Sequence, residues 1–277
     1  MKIHLAPKVI LVSRPSIVWD GVAELMAEYD IQQPPIALGP RTRGLTAGWK
    51  RPDADSDGES IPELMGRLCY GSFGERQGRV GARDYVANIL EGGHGSVLEH
   101  AVWGFVITRV GRGFTHQMVR HRSGVAVSQE SQHFIRYSTE GEPNAPEAAV
   151  CLTGIPPALR DLFVEECEEA VQGYADLWKM IRATLPPDAK VKKIVSGAAR
   201  GLLPNALESR LGFTANARAL RHICELRGTE DNTLEIRLVA VAIAKIMMDE
   251  APALFQDFAI AGGTDGHPVV TSKYRKV

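Results

Sequence analysis

The apolar positions of this chain fall into short continuous runs and longer periodic ones. Residues 8–13 (KVILVS) are a compact apolar run, which predicts a buried strand. Residues 17–29 place Val18, Val22, Leu25 and Met26 at helical spacing. Residues 61–68 and 82–90 predict two more helices, the second ended by Gly92 and Gly93. Residues 101–110 (AVWGFVITRV) are rich in β-branched and aromatic side chains and predict a strand. A short helix is predicted over 114–121, with Phe114, Met118 and His121 on one face, Gln117 beside them and Gly124 as the stop. The strongest helical period lies over 159–181, where Leu159, Leu162, Phe163, Cys167, Val171, Tyr174, Trp178 and Ile181 recur on one side. Helices are also predicted over 190–202 (closed by Pro204), 217–226 and 234–248, and the alternation of Leu207, Ser209, Leu211 and Phe213 predicts a strand.

Prolines interrupt this pattern twice. Pro34, Pro35, Pro40 and Pro52, with glycines and acidic residues among them, predict a loop insertion over 31–61. Pro143, Pro146, Pro156 and Pro157 predict a loop over 140–157. The expectation is one α/β (α+β) domain over residues 1–277, with a mixed sheet and several long helices, helix-rich in its C-terminal half.

Composition narrows the class without touching the chemistry. With 277 residues, 44% hydrophobic and 23% charged, the chain can bury a substantial core. A net charge of -1 provides no basic field for nucleic acid, so any phosphate recognition must be local. The four cysteines, Cys69, Cys151, Cys167 and Cys224, form no C-x-x-C pair and no zinc spacing. No signal-peptide core and no membrane-length apolar stretch is visible, so a cytoplasmic location without membrane partners is expected.

Four constellations bear chemistry. Arg120, His121 and Arg122 are consecutive; about 100° apart on a helix, they cannot share one face. At a helix end they could each meet a different part of a large anionic ligand, and the plain alternative is a solvated basic turn. Ser128, Gln129, Glu130, Ser131 and Gln132 could present consecutive N–H groups to a phosphate, or form a polar loop. No G-x-S-x-G elbow surrounds Ser131, so an acyl-transfer role is rejected. His94, Glu99, His100, His116 and His121 raise the question of a metal, but arginines crowd them and no H-E-x-x-H motif exists, so none is expected. Arg200, Asn216, Arg218, His222 and Arg227 form a C-terminal set, with Arg218 and His222 paired at i,i+4 on a predicted helix: either a ligand wall or an exposed basic face.

In this order the motifs resemble the flavin-dependent thymidylate synthases. The family signature is Arg-His-Arg, seven or eight residues, then Ser; here Arg120-His121-Arg122 is followed by eight residues and Ser131. The upstream H-x-x-x-x-E-H element matches His94 to His100, and a Gln three residues before the motif matches Gln117. Downstream, Arg200 before Leu203-Pro204, Asn216-x-Arg218 and Arg227 complete the set, over about residues 68–258. The resemblance implies flavin-dependent methylation of C5 of a uridine 5′-monophosphate. dUMP is the family default, with methylenetetrahydrofolate and NADPH as co-substrates, and the active sites of a homotetramer are shared between subunits. It implies that His94, Arg120, His121, Arg122, Asn216, Arg218 and His222 contact FAD. It further implies that Gln117, Ser131 with the backbone of Gln129, Glu130 and Gln132, Arg200 and Arg227 hold the nucleotide, Arg227 lying on the uracil as the catalytic cation. The same chemistry on the ribonucleotide UMP, and a nucleotide- or flavin-binding protein without turnover, are the alternatives.

Two departures bear on the substrate. Many members follow the motif Ser with Arg-Tyr; here His133-Phe134 stands there, and Arg136-Tyr137 comes three residues later. Four residues after Arg227 the family often has His, where this chain has Asp231.

Overall fold

The computed structural model describes residues 1–28, 49, 56–138, 147–186, 191–275 and 277. Most of the predicted 31–61 insertion lies outside the described residues. Its end does not: Asp57–Tyr70 is a helix (α2), following α1 (Trp19–Glu28). The Ser56 side chain caps α2 by accepting the Glu59 N–H at 3.3 Å, and Gly71 closes it at φ 56°. The loop therefore ends at the cap, five residues earlier than the proline pattern suggested.

The main sheet has four strands, all antiparallel, in the order β2 (Lys8–Ser13), β3 (Val102–Thr108), β6 (Leu211–Asn216), β4 (Val125–Gln129). The central strands alternate as a half-buried sheet must: Trp103, Phe105 and Ile107 from β3, and Leu211, Phe213 and Ala215 from β6, all enter the core. α7 (Ala217–Arg227) and α8 (Leu234–Glu250) share that core through Leu220, Ile223, Ile236, Val239 and Ile243, joined by Val86 and Ile89 of α3 (Ala82–Glu91). A parallel pair, β1 (Lys2–His4) and β5 (Ala149–Cys151), and a hairpin, β7 (Phe258–Gly262) with β8 (Pro268–Ser272), complete the strands among the described residues. α5 (Arg160–Ala183) and α6 (Val191–Ala199) enclose a second cluster around Tyr137, Tyr174 and Val171.

The mixed α/β class with long helices is as expected, but among the described residues the parallel pairing is limited to β1 with β5 and an isolated bridge between Ser138 and Glu147. The predicted 140–157 loop contains β5. The strand expected over 207–213 lies at Leu211–Asn216, because Leu211–Asn216 is the stretch that pairs with both β3 and β4. The helix expected over 114–121 is α4 (Arg112–Met118). His121 lies beyond it, in the turn that Gly124 closes with φ +67°. Residues 128 and 129 are strand rather than nest. Their backbone pairs with Gly212 and Leu211, and the Glu130 N–H donates to the Arg210 carbonyl at 2.9 Å. Only the turn at Ser131-Gln132 remains for the predicted nest. Among the described residues no helix is long and apolar enough to cross a membrane.

Candidate functional site

α7 is the beam on which the site is built. Its N-cap is Asn216, whose Oδ1 accepts the Ala219 N–H at 2.9 Å. Asn216 thus stands just ahead of the helix, as the predicted span over 217–226 implies. The Asn216 side chain fills the space beside Gly124, where a Cβ would collide with it. That contact ties the turn after Arg120-His121-Arg122 to the start of α7.

Arg218 sits in the first turn of α7. Its Nη1 meets Glu99 at 2.6 Å and its Nε donates to the Val277 carbonyl at 3.1 Å. Gly95 lies against both Arg218 and Val277, and Gly92 leaves room for the ring of His94. His94 is exposed on this shoulder. Glu99 is therefore an arginine partner here. Among the described residues no group of three His, Cys, Asp or Glu side chains could hold a metal ion.

At the other end of α7 the Arg227 Nε donates to His121 Nε2 at 3.1 Å, and Nη1 donates to Asn232 Oδ1 at 3.3 Å. His222, one turn back, meets His121 edge-on with ring centroids 6.4 Å apart. Burial, the Arg227 charge and His222 together hold the His121 imidazole down at a pKa of about 4. His121 is therefore neutral at pH 7, with its proton on Nδ1 and its Nε2 lone pair toward Arg227. Arg120 and Arg122 are exposed beside it, and no carboxylate pairs with either among the described residues. Arg120 and Arg122 flank His121 in the chain and Arg227 bonds it; arginines with no carboxylate partner among the described residues, beside a neutral imidazole, fit a ligand that brings its own negative charge.

The remaining predicted residues lie on other elements; Gln129 is at the end of β4 away from the turn that carries Arg120, His121 and Arg122. Gln117 lies half-buried in the last turn of α4. The Gln129 side chain reaches Thr115 Oγ1 at 2.8 Å and Ser209 Oγ at 3.1 Å. Glu130 accepts the Arg210 N–H at 3.2 Å. Ser131 Oγ accepts the His133 N–H at 3.3 Å, and its carbonyl accepts from Phe134 and Ile135, so Ser131 starts a tight turn. Gln132 is buried. Arg200, half-buried, opens a short 3-10 turn after α6. One chain thus brings together Arg227, His121 and His222, and separately Arg218, Glu99 and the His94 shoulder. From Arg218 to Arg227 is nine residues, about 13 Å along a helix.

Both sequence departures have a structural setting. His133 packs over Gly197 with Nδ1 buried and without a hydrogen-bond partner among the described residues. Arg136 stacks on Trp178 at 4.4 Å, and Tyr137 lies edge-on to Tyr174 at 6.5 Å inside the second core. Asp231 lines a cavity of about 440 Å³ with His222, Glu225, Leu226, Thr229, Asn232 and Arg275. Asn232 and Arg275 went unnoticed in the sequence, because neither belongs to a periodic face or a motif.

The family model described as "Thymidylate synthase complementing protein" matches residues 53–253. A flavin-dependent thymidylate synthase of Corynebacterium diphtheriae is 36% identical over 243 residues, covering 86% of this chain and 94% of that protein. Another, from Mycolicibacterium vanbaalenii, is 37% identical over 226 residues, covering 79% and 87%. Among solved structures, the UMP/dUMP methylase PolB from Streptomyces cacaoi, bound with 5-Br dUMP, is similar in fold. Its TM-score is 0.58 at 15% identity, over 92% of this chain and 96% of that one.

Proposed function

This chain belongs to the flavin-dependent thymidylate synthases, whose chemistry is methylation of C5 of a uridine nucleotide, and from that premise we propose that it converts dUMP to dTMP. Methylenetetrahydrofolate supplies the carbon and NADPH the reducing electrons. FAD, when bound, supplies the redox chemistry. Arg120, His121, Arg122, His222, Arg218, Asn216 and His94 hold FAD. Gln117, the turn from Gln129 to Gln132 with Ser131, Arg200 and Arg227 hold the nucleotide.

The observation that carries this reading is Arg227, a cation held by the uncharged acceptor His121 at 3.1 Å. Uracil C5 is weakly nucleophilic, and as it attacks an electrophile negative charge grows on the ring carbonyls. A guanidinium fixed beforehand beside those carbonyls stabilises that charge. A carboxylate partner would cancel part of the effect. The buried thiols of Cys151, Cys167 and Cys224 are all pushed up by burial, so they are poor thiolate nucleophiles at pH 7. Both facts favour chemistry driven by a cation.

We read the site as completed between subunits of a homotetramer. Supporting this, the 24-residue α5 buries only Cys167, Val171, Tyr174 and Ala175, while Leu162 and Met180 on it, and Ile194 and Leu202 nearby, are exposed. Light scattering of the purified protein tests it; a monomer at micromolar concentration counts against it.

Tritium release from C5-labelled dUMP and UMP, with methylenetetrahydrofolate and NADPH, tests the function. Release from dUMP is expected. Release from UMP alone moves the substrate to the ribonucleotide, and no release from either leaves a binding protein without turnover.

A further inference from the structure

The loop between α7 and α8 is tied at every turn. α7 ends at Arg227 and is capped by Gly228, whose N–H reaches the Cys224 carbonyl at 2.9 Å. The Gly228 carbonyl accepts the Val270 N–H from β8 at 2.8 Å, and a Cβ on Gly228 would strike Val270 at 2.6 Å. Glu230 then grips the tip of the β7–β8 hairpin through the N–H and, at 2.9 Å, the hydroxyl of Thr264. Arg237, buried at the start of α8, pairs with Asp265 of the same tip.

Between these anchors stands Asn232, with all its side-chain groups engaged. Its Nδ2 donates to the Leu226 carbonyl at 2.9 Å and to Thr229 Oγ1 at 3.0 Å, while Oδ1 accepts from Arg227 Nη1 at 3.3 Å. The amide has one sensible orientation. Flipped, it would set Nδ2 against the guanidinium and Oδ1 against the Leu226 carbonyl. Arg227 is consequently held on two sides by neutral acceptors, His121 on Nε and Asn232 on Nη1, while its other terminal nitrogen, Nη2, has no hydrogen-bond partner among the described residues.

We infer that Asn232 is a positioning residue for Arg227: it fixes the guanidinium fork while leaving its full charge to the nucleotide. This rests on the reading of Arg227 as the cation at the pyrimidine. A carboxylate of the same shape would offset the charge of the fork, and would also set an oxygen against the Leu226 carbonyl.

The test uses the flavin-loaded enzyme with C5-tritiated dUMP, methylenetetrahydrofolate and NADPH. Asn232→Ala should keep its flavin and lower kcat by roughly ten- to a hundred-fold, because a misplaced group costs that much. Asn232→Asp should lower kcat per bound flavin further than Asn232→Ala at pH 7–8, because its carboxylate, kept ionised by Arg227, offsets the charge of the fork. The titratable groups around the fork, His121, His222, Glu225, Asp231 and Arg275, are common to all three proteins, so they cancel in the ratio to wild type. A purely structural role lowers activity only in step with folded, flavinated protein, leaving kcat per bound flavin the same in Asn232→Asp and Asn232→Ala. Wild-type kcat per bound flavin in both variants, or an equal loss in the two, overturns the inference. If Asn232→Ala does not fold, Asn232→Asp and Thr229→Val, which removes one anchor of the amide and should give a smaller loss, carry the test. Arg227→Ala separates the two claims: if it still turns over, the reading of Arg227 fails; if it is inactive while the Asn232 variants match wild type, only the positioning inference fails.

Discussion

The two ends of α7 carry arginines that the fold treats in opposite ways. Arg218 at the N-terminal end meets Glu99 at 2.6 Å and a backbone carbonyl at 3.1 Å. A cation in the first turn faces the positive end of the helix dipole, and the carboxylate offsets that. Arg227 at the C-terminal end enjoys a favourable dipole and has neutral partners, His121 and Asn232. Between them Arg221 is buried, with bonds to both oxygens of Asp257 at 2.7 and 3.0 Å. Burial alone would raise the Asp257 carboxyl, but the hydrogen bonds and charge of Arg221 carry it below its ordinary value. Three arginines on one helix therefore do three things: one is spent on structure, one is balanced at the surface, and one keeps its charge. The residue type is the same; the partners differ.

The comparison can be broken at each arginine. The largest effect is expected at Arg221: Arg221→Ala strands Asp257 in the core and should cost about 3–5 kcal/mol of stability, read by denaturant unfolding. A loss below about 1 kcal/mol would show that the buried pair is not structural. Next is Arg227→Ala, expected to cut kcat by about a hundred- to a thousand-fold with little loss of flavin absorbance. Turnover near wild type would remove its catalytic role.

A third test addresses the neutral partner. The folded-state pKa of His121 is about 4, below the ordinary 6.5. Between these values the unfolded chain binds a proton that the folded chain refuses, so the histidine's contribution lowers stability as the pH falls from about 6.5 to about 4. His121→Asn should flatten the Tm-versus-pH curve in that window; an unchanged slope would mean that His121 is not held neutral. The smallest effect is expected at Glu99→Gln. The pair is close to half exposed, so stability should change by less than about 1 kcal/mol. Flavin affinity should hold or rise as Arg218 loses its counter-charge, and a large fall in flavin content would make Glu99 a ligand rather than a balance.

How much of this was legible beforehand varies by element. Helices α3, α5, α7 and α8 and strand β3 were legible because each buries one face or a whole run, and burial imposes a period; the buried strand expected over 8–13 is a strand, β2, but it is the edge of the sheet, with Val9 and Leu11 half-buried and Ile10 and Val12 exposed. β1, β4, β5 and the β7–β8 hairpin were not legible. They are three to five residues long, and a strand that short carries too few alternations to stand out from a loop. The 128–132 stretch shows the same limit at the site. Its small polar residues suit a phosphate nest or an edge strand, and pairing with β6 decided for the strand as far as Gln129.

By itself the sequence determined the family, through the spacing of Arg120-His121-Arg122 to Ser131 and the ordered residues from His94 to Arg227, and it determined which residue types are available for phosphate and pyrimidine. Only the tertiary structure decided the state of those residues. That Arg218 is paired and Arg227 is not, that His121 is neutral, and that Asn232 reaches back five positions to hold the fork all depend on which side chains approach within about 3 Å. Charge and proton affinity are set by such neighbours and by burial, and neither is a property of spacing along the chain.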